Sequence, residues 1–367
     1  MIRKVQHPEW VANTIPIKLA NGTWKVQVDY SSLNKVCAKD ICPFPEEGEE
    51  LASLMEYPYK CFLRLLKEYS QIRMAENDEE KIGFHTKNGV YCFTHMPKGL
   101  KNSTETHQRM MDKVLTDQRG RNVEVYLEEI VVKRKNEQSL VQDVEETLRK
   151  LKSVNIKIDP NTSSFRVEEG KFLSHIVTKE GVRADPEKVH TIIRSPTSKS
   201  PSQIRSLFLQ LTTISKFIPK LVELKYPINK ACIRMDAAVG FGWTNKAKEV
   251  FQRIKRKLNK LQTLAIPKEG EKLMLCLRHR NETISYVLMV EREGVQTPVS
   301  YVSRSLQGME ICYTPTEKIM QALIHTTRSL RTTFRKHKVA VITDGPIEEI
   351  LKLSERKGRL AKWAAKI

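Results

Sequence analysis

The sequence lacks the features that would place it among secreted or membrane-spanning proteins. Its seven cysteines are an odd number. None forms a C-x-x-C pair and none has a His at zinc spacing, so neither a disulfide framework nor a zinc knuckle is indicated. They read as reduced, intracellular thiols. No apolar run approaches the roughly eighteen residues needed to cross a bilayer. Met1-Ile2-Arg3-Lys4 is followed by no signal-peptide core. A soluble, unsecreted protein of the cytoplasm or nucleus is therefore expected, with no membrane partner. No internal repeat stands out.

Acid is also in deficit. The 43 Asp plus Glu face 63 Lys plus Arg, a formal charge of +20 over 367 residues. Such an excess points to a polyanion as partner, because counterion release drives phosphate binding. The charge is clustered, as in Arg253-Ile254-Lys255-Arg256-Lys257 and Arg335-Lys336-His337-Lys338. The length allows two or three domains.

Strands and helices mix in an α+β pattern. Ile15, Ile17 and Leu19 alternate with polar residues, and Asn21-Gly22 then turns the chain into Trp24, Val26 and Val28, which reads as a hairpin with a type I′ turn. Asn88-Gly89 signals a second hairpin between Phe84-His85-Thr86 and Val90-Tyr91-Cys92-Phe93. Asn102-Ser103 with Glu105 can cap a helix carrying His107, Met110, Met111 and Val114. Ser139-x-x-Gln142 reads as a capping box ahead of Leu140, Val144, Leu148 and Leu151.

The texture changes at the Pro/Ser-rich stretch Ser195 to Ser202, which reads as a linker into a helical region. Ser200 can cap a helix there, with Pro201 at its first position. Thr244 opens a basic helix, Asn245 to Leu261, and Pro267-Lys268-Glu269-Gly270 marks another boundary. A final module shows strands near 273–279, 284–291 and 298–304, a helix near 315–334, a strand at Val339–Thr343 and a last helix.

Tyr126-Leu127-Glu128-Glu129 places adjacent acids between the apolar runs Val123-Glu124-Val125 and Ile130-Val131-Val132. This pattern is a tight hairpin presenting paired carboxylates. A two-metal phosphoryl-transfer site needs such an arrangement, since each Mg²⁺ takes hard oxygen ligands and the ions sit roughly 3.5–4 Å apart. Alone, two acids at a strand turn are more often a solvated surface hairpin than a metal site.

With its flanks, the segment resembles the Tyr-x-Asp-Asp strand-turn-strand of reverse transcriptases. The whole chain resembles the reverse transcriptase–ribonuclease H section of gypsy-type LTR retrotransposon polyproteins. Five blocks carry the match in the family's order. They are Trp24 to Tyr30 with Leu33-Asn34-Lys35; Met96-Pro97-Lys98-Gly99-Leu100-Lys101-Asn102; the Tyr126 hairpin; Gly170-Lys171-Phe172-Leu173; and Tyr301-Val302-Ser303-Arg304-Ser305-Leu306.

The resemblance implies a fingers-palm-like domain over 1–195 and a helical thumb or connection-like region over 196–265. A ribonuclease H-like α/β domain over 266–367 follows, truncated at its C-terminus. It implies nucleic acid as partner, whether RNA, DNA or their hybrid, and Mg²⁺ as cofactor; no protein partner is inferable. Lys25 matches a cationic fingers position facing a nucleotide triphosphate, and Gln108 a position against the incoming nucleotide or template. Phe172 and Leu173 match the primer-grip region. A solvated strand lysine and a hairpin core explain Lys25 and Phe172-Leu173 equally well.

The acids depart from the pattern. Polymerases of this class use one carboxylate at the end of an early palm strand and two in the turn. Aligning Gln71-Ile72-Arg73-Met74-Ala75 with the family puts the first at Arg64, a guanidinium that stays protonated. Glu128 and Glu129 keep the charge but lengthen each arm by one methylene, moving the oxygens by roughly 1–1.5 Å. Arg64 is expected to pair with Glu128 or Glu129, so no intact metal site is expected. Lys98 replaces the family's aromatic before Gly99, Ser31 replaces an arginine, and Ser174 replaces a glycine.

In the C-terminal module Glu317 and Asp344 match two ribonuclease H acids. The first-strand acid falls near Arg278, and the last would lie beyond Ile367. No Asp-Ser/Thr-Gly protease motif and no integrase motif is present. The resemblance by itself implies an active RNA-directed DNA polymerase with ribonuclease H. The acid inventory implies instead a homologue without polymerase activity that retains nucleic-acid binding. A scaffold for protein partners has no sequence feature in its favour.

Overall fold

Apolar–polar alternation around Ile15 and Val26 produces an antiparallel pair, Val11–Lys18 with Trp24–Asp29, in register from Asn13↔Asp29 to Lys18↔Trp24. The computed structural model describes residues 1–18, 22–197, 200–233, 243–280, 282–352 and 359–365. Leu19 and Asn21 of the expected turn lie outside the described residues. The second expected hairpin forms between Gly83–Thr86 and Gly89–Phe93, and Gly89 supplies the positive φ of +118° that its tight connection requires.

The chain divides into two compact units, Met1–Leu173 and Ser174–Ile367. In the first, both hairpins join one five-stranded sheet in the order Ile2–Val5, Gly89–Phe93, Gly83–Thr86, Val11–Lys18, Trp24–Asp29. Ala12, Val28, Tyr30, Ile82 and Phe84 pack beneath it. A second sheet runs Val123–Tyr126, Glu129–Arg134, Tyr59–Arg64, Ser164–Val167, antiparallel throughout. One face of this sheet packs on the helices Ser103–Val114 and Glu137–Ser153, through Cys61, Leu63, Met111, Val125, Ile130 and Leu140 among others.

Two helix starts differ from the sequence expectation. The Glu137 helix begins ahead of the expected box at Ser139-x-x-Gln142, because Asn136 accepts the Ser139 amide at 2.8 Å and caps first. Asn102 occupies the cap position of the Ser103 helix but makes no side-chain cap bond. Its amide group instead donates to the Ala38 carbonyl at 2.9 Å and accepts the Asp40 amide at 3.2 Å.

In the second unit, Ser200 caps the helix Pro201–Thr213 and Thr244 caps Asn245–Leu258, which ends three residues before Leu261. Ser198 and Lys199 of the Pro/Ser stretch lie outside the described residues. A four-stranded sheet follows in the order Val295–Ser305, Thr283–Arg292, Leu273–Arg280, Val339–Ile342. The first three are antiparallel and the last pairs in parallel with its neighbour. Met320 and Leu323 of the helix Pro315–Ser329 fill the core against Leu275, Leu277 and Leu288. The helix expected over 315–334 breaks at Leu330, and Arg331–Lys336 forms a separate short helix. Among the described residues no helix is long and apolar enough to cross a membrane.

Candidate functional site

The expected tight hairpin forms: Tyr126 pairs with Glu129, leaving Leu127 and Glu128 as a two-residue connection. Leu127 has φ of +52°, a left-handed conformation costing a branched residue about 1–2 kcal/mol. Gln108 offsets this cost. Its side-chain oxygen accepts the Leu127 amide at 2.8 Å, while its nitrogen donates to the Val125 carbonyl at 3.1 Å and to Asp112 Oδ1 at 3.0 Å. The expectation that Gln108 faces a nucleotide or template is therefore corrected. Its side chain is fully buried, and its amide is spent on the hairpin backbone.

Arg64 stands directly opposite Glu129 in the register of the two central strands. The expected ion pair forms there: the Arg64 guanidinium donates to Glu129 Oε1. The other carboxylate oxygen of Glu129 accepts the Leu173 amide at 2.7 Å. Both oxygens are thus engaged. The Arg64 backbone is pinned as well, its amide donating to Ser163 Oγ at 3.0 Å and its carbonyl accepting from Asp159 at 2.8 Å. Burial pushes the Glu129 carboxyl above its ordinary range; the Leu173 amide and Arg64 pull it back only in part, and the Glu128 charge adds to the rise. Glu128 is half-buried and, among the described residues, has no ion-pair partner.

The remaining candidates separate. Phe172 is fully buried, so its ring is core. Leu173 contributes its backbone amide, from a positive φ of +52°, and Ser174, where the resembled family has glycine, follows at +64°. Gly170 is required by contact, since a Cβ there would lie 2.1 Å from the Phe62 ring. Lys25 is exposed on the five-stranded sheet, whereas Arg64, Glu128 and Glu129 lie on or beside the four-stranded one.

Sequence reasoning missed the charged groups behind the hairpin. Glu124 and Lys133, both buried, pair across its two strands, and the Lys133 ammonium also donates to the Ser53 carbonyl at 3.0 Å. Arg119 bridges Asp112 and Glu50, the latter at 3.3 Å. Asp112 then leads to Gln108. Burial first, and then the neighbouring Glu124 charge, push the Glu50 carboxyl up to about 7. The available signal was a charged residue inside each apolar run, Glu124 in one and Lys133 at the end of the other.

Of the ribonuclease H candidates, Glu317 closes a helix cap. Its Oε2 accepts the Thr314 amide at 3.0 Å, and its Oε1 accepts from Arg359 at 3.1 Å. Asp344 is exposed beyond the strand Val339–Ile342, and Arg278 is exposed on Leu273–Arg280. Among the described residues no group of three or more His, Cys, Asp and Glu is placed to hold a metal ion.

Comparison with known proteins agrees with this topology. The reverse transcriptase (RNA-dependent DNA polymerase) family matches residues 15–177, and the RNase H-like domain found in reverse transcriptase matches 243–341. The chain is 28% identical to the retrovirus-related Pol polyprotein from transposon 297 of Drosophila melanogaster, over 98% of this chain and 34% of that protein. Residues 15–177 thus carry a reverse transcriptase domain and residues 243–341 its RNase H-like companion, and the relatives are Pol polyproteins of gypsy-like LTR transposons.

Other Pol polyproteins match over a similar span. That from transposon opus of Drosophila melanogaster is 29% identical over 98% of this chain and 37% of its own length. The Tf2-3 polyprotein of Schizosaccharomyces pombe is 26% identical over 93% and 26%. The chain thus spans about a third of the length of the curated relatives it matches. In fold, the chain is similar to the foamy viral protease-reverse transcriptase in complex with RNA/DNA hybrid. The TM-score is 0.84 at 18% identity, covering all of this chain and 49% of that one. The same viral protein in complex with dsDNA gives 0.77, also at 18% identity, with 76% of that chain covered.

Proposed function

We infer that this Pol region is a reverse transcriptase–ribonuclease H homologue without polymerase activity that retains binding to nucleic acid. The observation that carries the reading is the Arg64–Glu129 pair with Leu173. It commits both oxygens of one turn acid and sets a permanent cation where the family pattern has its first carboxylate. These residues do not fit a pair of Mg²⁺ ions. A divalent ion about 4 Å from the guanidinium would meet roughly 8 kcal/mol of repulsion at an effective dielectric of 20. Glu128 alone is left to offer oxygens, on an arm longer than the aspartate of the pattern.

The charge of +20 and the likeness to a reverse transcriptase bound to RNA/DNA hybrid support nucleic acid as the partner. Lys25, exposed on its strand, is our candidate for a phosphate contact. The division into fingers-palm-like 1–195, thumb or connection-like 196–265 and ribonuclease H-like 266–367 is part of the same proposal. The cysteines described in the structure are all free, which supports a reducing compartment, cytoplasm or nucleus. Glu317, engaged by its cap and by Arg359, makes a nuclease reading weaker still.

The alternative, an active RNA-directed DNA polymerase, rests on the overall match alone. Primer extension on poly(rA) with Mg²⁺ and then Mn²⁺ separates the two: no incorporation is expected.

A further inference from the structure

A cavity of about 730 Å³ lies in the Ser174–Ile367 unit, within the span of about 300–1,000 Å³ typical of ligand pockets. Arg253, Arg256, Lys257 and Lys260 line it, spaced i, i+3, i+4 and i+7 so that they share one face of the Asn245 helix and the turn after it. Phe217 and Tyr301 line it as well. Among the described residues its lining includes no Asp or Glu, and none of the four cations makes an ion pair.

Attraction of the last turn to the helix dipole explains Arg256 and Lys257 but leaves two cations over. Arg253 lies a turn earlier and Lys260 lies past the helix end. The neighbouring Lys255 is the contrast within the same basic run. It donates to the Ser195 carbonyl at 2.7 Å and sits over the Phe251 ring, away from the pocket. The remaining cations of the run converge on one space, bordered by an aromatic ring that is only half-buried.

We propose that this pocket binds a phosphorylated nucleoside, with the phosphates on the four cations and the base against Tyr301. Two arginines offer planar donor forks to phosphate oxygens, and the two lysines add point charges. Tyr301 supplies a stacking face that accepts any base. The ligand comes either from a free nucleotide or from the phosphorylated end of a nucleic-acid strand. Every residue of this pocket belongs to the second unit, and none belongs to the Tyr126 hairpin.

The test is lysine acylation of the full chain followed by mass spectrometry, with ATP, inorganic triphosphate or a 5′-phosphorylated oligo(dT) as the probe. ATP is expected to protect Lys257 and Lys260 but not the exposed Lys87. Tyr301→Ala should raise the ATP concentration needed by about tenfold, in the range of a lost base–aromatic stack, while leaving triphosphate protection unchanged. Arg256→Glu with Lys260→Glu should abolish protection of Lys257 by either probe. Stronger protection by oligo(dT) than by ATP assigns the strand end; the reverse assigns the free nucleotide. Protection by triphosphate equal to that by ATP on the unaltered chain overturns the proposal without need of any variant. So does protection of Lys87 to the same extent, or no protection by any probe.

Discussion

Gln108 holds Leu127 from behind, its side-chain oxygen 2.8 Å from the amide at the hairpin tip. The hairpin is thus braced by a helix residue nineteen positions earlier in the chain. Gln108→Ala strands the Leu127 amide and the Val125 carbonyl and opens a small cavity. A loss of about 2–3 kcal/mol in urea-unfolding stability is expected. A loss within about 0.5 kcal/mol, the level of an ordinary surface change, would show that the amide contributes little.

Arg64 and Glu129 form a pair whose acid is the more enclosed partner, with 14% of its side chain exposed against 36% for the guanidinium. Arg64→Ala leaves the carboxylate with only Leu173 as donor. A cost of about 1–3 kcal/mol is expected, between that of exposed and buried pairs. The Glu129 carboxyl, already above its ordinary range, should rise further. Carboxyl NMR of labelled protein reads the change directly, and an unmoved or lowered titration midpoint would contradict the pairing.

Glu50 should make stability depend on pH. Its folded-state carboxyl is pushed up to about 7, above the value of about 4.5 for an unhindered Glu. The folded form therefore holds the proton more tightly than the unfolded form. The contribution is full below about pH 4.5 and is lost as pH rises through about 7. The thermal midpoint should fall between pH 5 and 8 at fixed ionic strength, and Glu50→Gln should flatten that part of the profile. An unchanged slope in the variant would assign the dependence to other groups.

Local pattern made much of the fold legible, and long-range contacts supplied what it could not. The strands around Ile15 and Val26 alternate cleanly, and Ser200 is marked out as a cap by Pro201, which takes the first helical position directly after it. Asn136 and Ser139 are both capping types ahead of Leu140, so sequence alone does not decide which one acts. Ile2–Val5 joins its sheet by pairing with Gly89–Phe93, about half the unit away along the chain, and local periodicity carries no such information. At the site, the pairing of Arg64 with a turn acid was legible because the resemblance sets that arginine beside the Tyr126 hairpin. The burial of Gln108 was not, since its partners are backbone groups brought near only by folding. The Leu173 amide escaped notice for the same reason, because a residue letter says nothing of where its N–H points.

Whether Glu129 holds an arginine in place of a metal ion is decided by template-dependent primer extension on poly(rA). The unaltered chain is compared with one carrying Arg64→Asp, Glu128→Asp and Glu129→Asp together. No incorporation is expected from the unaltered chain with Mg²⁺ or Mn²⁺, and incorporation is expected from the triple variant. Incorporation by the unaltered chain that disappears on Glu128→Gln would contradict that expectation.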